Sequence, residues 1–233
     1  MKNLINCPKC QAENPYYNFT CNSCNSYMRA RIVNIDLWAV VGNLLHSPVN
    51  TLKTLICSEH KNFISLILFL ASFKVILNLI LLSNLFDLDG VGRISFTNVV
   101  LISLVSSVII AFVSYLVTKL NSLLGLMNRF LDNLTIYSYS FIPVILVLVI
   151  ITPIQFALFG NYWFTFDPSP FIIKPTVAKV LIFIELLFQL WTIVLLITST
   201  YAQTNNKKYS IILGVSIFIL IYIVSYFILN IFS

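Results

Sequence analysis

Charge is scarce in this chain: 22 acidic and basic side chains among 233 residues, or 9%, where a soluble domain carries roughly 25%. So little charge cannot cover a water-facing surface, which excludes an ordinary soluble domain. Glycine is scarce too, with six scattered residues and no glycine-rich loop to cradle a phosphate. There are two histidines, His46 and His60, and both precede the long apolar blocks. With neither a Ser–His pair nor paired aspartates inside those blocks, intramembrane proteolysis lacks its residues. The chain therefore reads as non-enzymatic. Met1–Asn6 runs straight into a cysteine turn instead of the apolar core of a secretory leader, so the N-terminal segment is expected to stay in the cytosol. The net charge of +6 is not gathered into a patch, and no nucleic-acid partner is expected.

What the sequence has in abundance is apolar length. Apolar residues make up 59% of it, and the mean hydropathy is +0.93. Five blocks, roughly 63–85, 99–118, 136–160, 177–201 and 211–232, are each near the ~20 residues a helix needs to cross a bilayer core. They show no two-residue alternation, so a barrel is unlike them and helices follow. The expected fold is an all-α integral membrane protein, a five-helix transmembrane bundle over 63–233. Pro143 and Pro153 should kink the third span, because each removes a backbone bond. Ser103, Ser107 and Ala111 form a strip of small residues suited to close helix packing. Asn161–Pro175, rich in aromatics and proline, reads as an interfacial loop or a short lid.

Lys and Arg in the short loops set the orientation. Ten (Lys2, Lys9, Arg29, Arg31, Lys53, Lys61, Lys119, Arg129, Lys207 and Lys208) fall on the N-terminal side, against Arg93, Lys174 and Lys179 on the other. A multi-pass protein with a cytosolic N-terminus and the C-terminus opposite is expected.

Ahead of the bundle, Cys7-Pro-Lys-Cys10 and Cys21-Asn-Ser-Cys24 put four of the five cysteines within 18 residues. Each Cys-x-x-Cys turn offers two sulfurs from one knuckle, and zinc takes four thiolates tetrahedrally. In a reducing compartment this pattern points to zinc rather than two disulfides. Residues 1–31 are expected to form a zinc ribbon with metal ligands Cys7, Cys10, Cys21 and Cys24. Four thiolates leave no open position for water, so the site is structural. The residues after each knuckle, Gln11 and Asn25, must turn the chain. Asn suits the left-handed region better than Gln, so the first knuckle should be the less regular. Cys57 falls outside the pattern.

Between ribbon and bundle, 32–62 is amphipathic. Leu37, Val41, Leu44 and Leu45 recur at helical spacing, Pro48 interrupts, and Leu52, Leu55 and Ile56 resume. Such helices lie among lipid headgroups or pack beneath the bundle.

Within the spans, ionisable groups are costly and mark function by default. Lys74 in the first block and Glu185 in the fourth lie at similar depth. Asn78 and Gln189 each follow by one turn. These four are expected to form an intramembrane polar pair, Lys74 with Glu185, directly or through Asn78 and Gln189. A transport or channel role for Lys74 and Glu185 is the alternative.

The amphipathic stretch with "SPVNTLKTL", five spans, and the Trp-bearing fourth span with its polar turn, "QLWTIVLLITSTYAQTNNKKYSIILGV", resemble bacterial members of the Yip family of membrane proteins. The resemblance covers roughly 35–233, with the ribbon an added module. It implies a five-helix bundle with a cytosolic N-terminus. It also implies a scaffold or organiser that meets membrane or peripheral protein partners and the lipid bilayer without catalysis. An oligomer is compatible with it.

Overall fold

The computed structural model describes residues 3–86 and 95–232. Lys2 and Arg93 of the charge count lie outside the described residues. The chain is mostly helical, with a small paired-strand unit at its N-terminus. Among the described residues, five helical segments are long and apolar enough to cross a membrane: Ile64–Leu85 (α3), Phe96–Leu123 (α4), Ile142–Phe159, Pro175–Thr204 (α10) and Lys207–Phe232 (α11). They agree with the five expected blocks. α4, α10 and α11 extend a few residues beyond the expected blocks, because a helix ends where its caps are and not where hydropathy falls.

The third span departs most from the continuous 136–160 block. Phe130–Tyr139 (α5) stops first, and Ile142–Leu146 (α6) starts afresh with Pro143 in its first turn. Val147–Ile151 then widens into a π-helical turn, and Thr152–Phe159 (α7) restarts with Pro153 in its first turn. Proline is tolerated in a first turn, where its missing N–H has no partner to lose. The helix is interrupted just ahead of Pro143, whereas 142–159 runs on through the π-helical turn and Pro153 as one segment.

Branched aliphatic and aromatic side chains fill the core between the helices, and small and hydroxyl side chains make the closest approaches. Ser107 Oγ donates to Ser72 Oγ at 3.1 Å, and the expected Ser103–Ser107 strip thus faces α3. In α11, Ser210, Gly214, Ile217, Ile221 and Ser225 recur at three and four residues and form its buried stripe. A Cβ built on Gly214 would lie 2.7 Å from the Ile197 backbone, so α10 and α11 cross at glycine distance.

At the far end the connection is ordered. Tyr162–Thr165 (α8) and Pro170–Ile173 (α9) replace the expected loop, and Trp163 is buried against Phe159 in a small second core. At the ribbon end, Pro48–Cys57 (α2) follows the expected amphipathic pattern, with the break at Pro48, whereas Leu37–His46 (α1) buries Val40 and Leu44 and leaves the expected Leu45 exposed. Asp36 caps α1, its carboxylate accepting from the Trp38 and Ala39 amides. The two helices then take different roles. Leu52, Leu55 and Ile56 bury α2 in the main core, whereas α1 reaches it through Val40 and Leu44 and leaves Trp38 82% exposed.

Candidate metal centre and buried ion pair

The N-terminal unit is built twice over from one short device. Leu4–Asn6 (β1) pairs antiparallel with Glu13–Pro15 (β2), and a Thr20–Tyr27 bridge repeats the arrangement. In each half the amide two residues after the first cysteine points at its sulfur: Lys9 N to Cys7 Sγ and Ser23 N to Cys21 Sγ, both at 3.4 Å. Each turn is closed by a 3.0 Å bond, Gln11 N to Cys7 O and Asn25 N to Cys21 O. Gln11 (φ 60°) and Asn25 (φ 55°) both adopt the left-handed conformation. The first knuckle is thus as regular as the second, contrary to expectation. The closing bonds of the turn override the residue's own preference.

The four sulfurs lie within 4.8 Å of one another, with Cys7 to Cys24 at 3.7 Å and Cys10 to Cys21 at 3.6 Å. A tetrahedron with ~2.3 Å metal–sulfur bonds has edges of about 3.8 Å. The thiols are unbonded to each other and can hold one metal ion. The Ser26 hydroxyl, then backbone amides, lower the Cys7 thiol to about 6. The Cys24 and Ser23 amides, with Asn14, lower Cys21 as well. At Cys10 the Ala12 amide favours the thiolate, but neighbouring thiols and burial outweigh it and raise the group to about 12. Four thiolates cannot share so small a volume without a cation. Asn14 is fully buried and ties the halves together, donating to Cys21 Sγ and accepting from Asn22 N.

The ribbon sits on the bundle, which spacing alone did not reveal. The Asn3 amide donates to Met127 O at 2.6 Å and accepts from Met127 N at 3.0 Å. Arg29 donates at 2.8 Å to both Tyr17 O and Cys57 O. The Arg129 guanidinium lies 4.3 Å over the Tyr17 ring, within cation–π range. Beneath it, Asp132 is paired with Arg129 at 2.7 Å and with Lys61 at 3.0 Å. Lys61 and Arg129 also donate to Ile56 O at the C-terminal end of α2, where positive charge is favoured. Burial holds the Lys61 ammonium below its ordinary range, with Asp132 pulling the other way. Cys57 is half-buried in this seat, and burial raises its thiol.

Lys74 and Glu185 meet directly, Nζ to Oε1 at 2.7 Å, each 2% exposed. Their expected companions are only partly right. Asn78 is buried, but it donates to the Tyr222 hydroxyl at 3.4 Å and does not bridge the pair. Gln189 is half-exposed one turn along α10 and takes no part. Gln155 stands in its place, donating to Glu185 Oε1 at 3.0 Å from α7, and Thr152 accepts from Lys74 at 3.4 Å. Both residues directly follow the π-helical turn of the third span. A glutamine and a threonine within an apolar block are the same signal that marked Lys74, and could have been found by it. Glu185 Oε2, Gln155 Oε1 and Asn78 Oδ1 are buried acceptors without a hydrogen bond.

A scan against protein-family models finds no match, and neither the curated proteins nor the solved structures contain a significant relative of this chain.

Proposed function

We propose that this is a non-enzymatic integral membrane protein that organises membrane or peripheral protein partners. It does so through a zinc-stapled ribbon held rigidly on the cytosolic end of a five-span bundle. The observation that carries this reading is the seat of the ribbon. Asn3, Arg29, Tyr17 and Arg129 fasten it to the loop before α5 and to α2, so that it is presented as a fixed surface. Zinc fits the four thiolates and the tetrahedral spacing of the sulfurs, and with four protein ligands it would serve structure and not catalysis. The charge count supports the cytosolic side for this end. The resemblance of 35–233 to Yip-family proteins supports a scaffold role.

Site-specific photocrosslinking in cells tests it. Crosslinkers at Tyr27 on the ribbon and Trp38 on α1, both exposed, should capture the same partner, and one at Tyr162 at the far end should not. Replacing Cys10 and Cys24 by serine should abolish the capture. A partner pattern unchanged by loss of the metal ligands would sink the proposal.

One observation favours a second reading, a small transporter or channel subunit: Glu185 Oε2 of the pair, Oε1 of its donor Gln155 and Oδ1 of Asn78, one turn from Lys74, are buried acceptors without partners. Such groups are expensive unless they serve a passing proton or cation. Ion or proton flux in reconstituted vesicles, lost in Glu185→Gln, would support that reading. Vesicles as tight as empty ones would dismiss it.

A further inference from the structure

Three features of the bundle meet at Thr152. The π-helical turn Val147–Ile151 ends one residue before it, and turns of this kind are frequent at functional sites. Its hydroxyl accepts from Lys74 at 3.4 Å, on the side of the buried ion pair. It also lines a cleft of about 870 Å³ between α3, the start of α4, α7 and α8, toward the end remote from the ribbon. Thr152 thus touches both the cleft and the pair. From Asn84 near that end to Lys74, α3 spans about 15 Å at 1.5 Å per residue, half of a ~30 Å bilayer core. Asn84, Asn161 and Thr165 bring polar groups to the cleft wall, among apolar ones from Phe73, Leu77 and Phe156.

At the pair itself, acceptors outnumber donors. Glu185 Oε2, Gln155 Oε1 and Asn78 Oδ1 are all buried without a hydrogen bond. A proton on Oε2 makes the carboxyl a donor as well as an acceptor, which relieves that excess. Among the described residues, the ionisable groups that act on Glu185 are Lys74 from α3 and the Tyr222 phenol from α11, while α7 brings the neutral Gln155. We propose that the cleft is a water-filled entry from the far face to the Lys74–Glu185 pair, and that Glu185 Oε2 accepts a proton through it. Hydronium in the cleft gives its proton to Oε2 and remains as water, and the neutral pair becomes singly positive. Ionisable groups within spans serve as proton relays in this way. The inference deepens the transport reading above by naming its ion and its side of entry, and it rests on the spans crossing a membrane. A lipid chain is the competing occupant, and it would keep water from Thr152.

The full chain carrying Thr152→Cys is treated from the far face with an impermeant thiosulfonate, which reacts with the thiolate that forms in water. Peptide mapping should find the label at 152, and none in Leu190→Cys on the exposed face of α10. Leu77→Cys, on the same cleft wall, is the substitute if Thr152→Cys fails to fold. In reconstituted membranes, acidification should bring out a protonated-carboxyl infrared band in the wild type that is missing in Glu185→Gln. Absence of label from the cleft positions, as a lipid-filled or closed cleft would give, overturns the entry. Identical infrared titrations of wild type and Glu185→Gln overturn the proton site. Label and band without ion flux would uphold this inference and dismiss the transport reading; flux without label would do the reverse.

Discussion

At the level of single residues, the Lys74–Glu185 contact carries the greatest energetic stake. Neither group could be buried alone, and each is neutralised by the other across two helices. Breaking such a pair strands a charge, at a cost of about 3–5 kcal/mol, while removing both partners is far milder. Lys74→Ala and Glu185→Ala should each lower stability in detergent by about that amount, and the double variant should be more stable than either single one. Denaturant titration of the three variants checks this; a double variant at the sum of the singles would mean the charges are not coupled. The cysteines make a second residue-scale prediction. Purified protein should contain one zinc, and X-ray absorption should show four sulfurs at about 2.3 Å. Cys10→Ser should lose the metal, and oxygen or nitrogen ligands in the wild-type spectrum would refute the all-thiolate site.

At the level of elements, α10 and α11 are joined by an approach that only a residue without a Cβ permits. Gly214→Ala would put a methyl group 2.7 Å from the Ile197 backbone, and backbone cannot swing aside as a side chain can. A loss of about 1–3 kcal/mol is expected, as for overpacking in general. Gly42→Ala on α1, where a Cβ meets nothing within 4 Å, should be neutral or slightly stabilising. Thermal melts of the two variants in detergent make the comparison, and equal melts would show that the helices have room to part. The α11 stripe and the strip at Ser103 and Ser107 are both legible as small residues at three- and four-residue spacing. Which helix each one faces is not, because an apolar helix offers lipid-like side chains all round and no strong moment to orient it.

For the whole molecule, the question is how the ribbon and the bundle act on each other. A unit of about 30 residues cannot build its own core, so metal binding and ribbon folding should be one event. Because Asn3 and Tyr17 grip Met127 and Arg129, stripping the metal with a chelator should loosen 126–132 as well as the ribbon. Hydrogen exchange should rise in both segments and stay unchanged at Trp163; exchange confined to the ribbon would show that the seat is not coupled to the metal. Orientation has its own test. Asn205 and Asn161 are exposed at opposite ends of the bundle. In intact cells, an impermeant reagent should label a cysteine at 161 and spare one at 205. The reverse pattern would overturn the charge rule for this chain.

Hydropathy and spacing are properties of neighbours along the chain, and whatever depends on neighbours alone was readable there. The five apolar helices, the split at Pro48 between α1 and α2, the four-cysteine cluster and the matching level of Lys74 and Glu185 along their helices all belong to this class. What the tertiary structure decided is which groups meet across helices. Gln155 and not Gln189 completes the ion pair, because the third span packs its Gln155 face against Glu185. Gln11 takes a left-handed turn because the Cys7 carbonyl bonds it there. The ribbon has a seat because Asn3 and Tyr17 find partners more than a hundred residues away. Such contacts are set by the mutual rotation and closeness of whole helices, which depend on packing summed over the bundle and on no local stretch of residues.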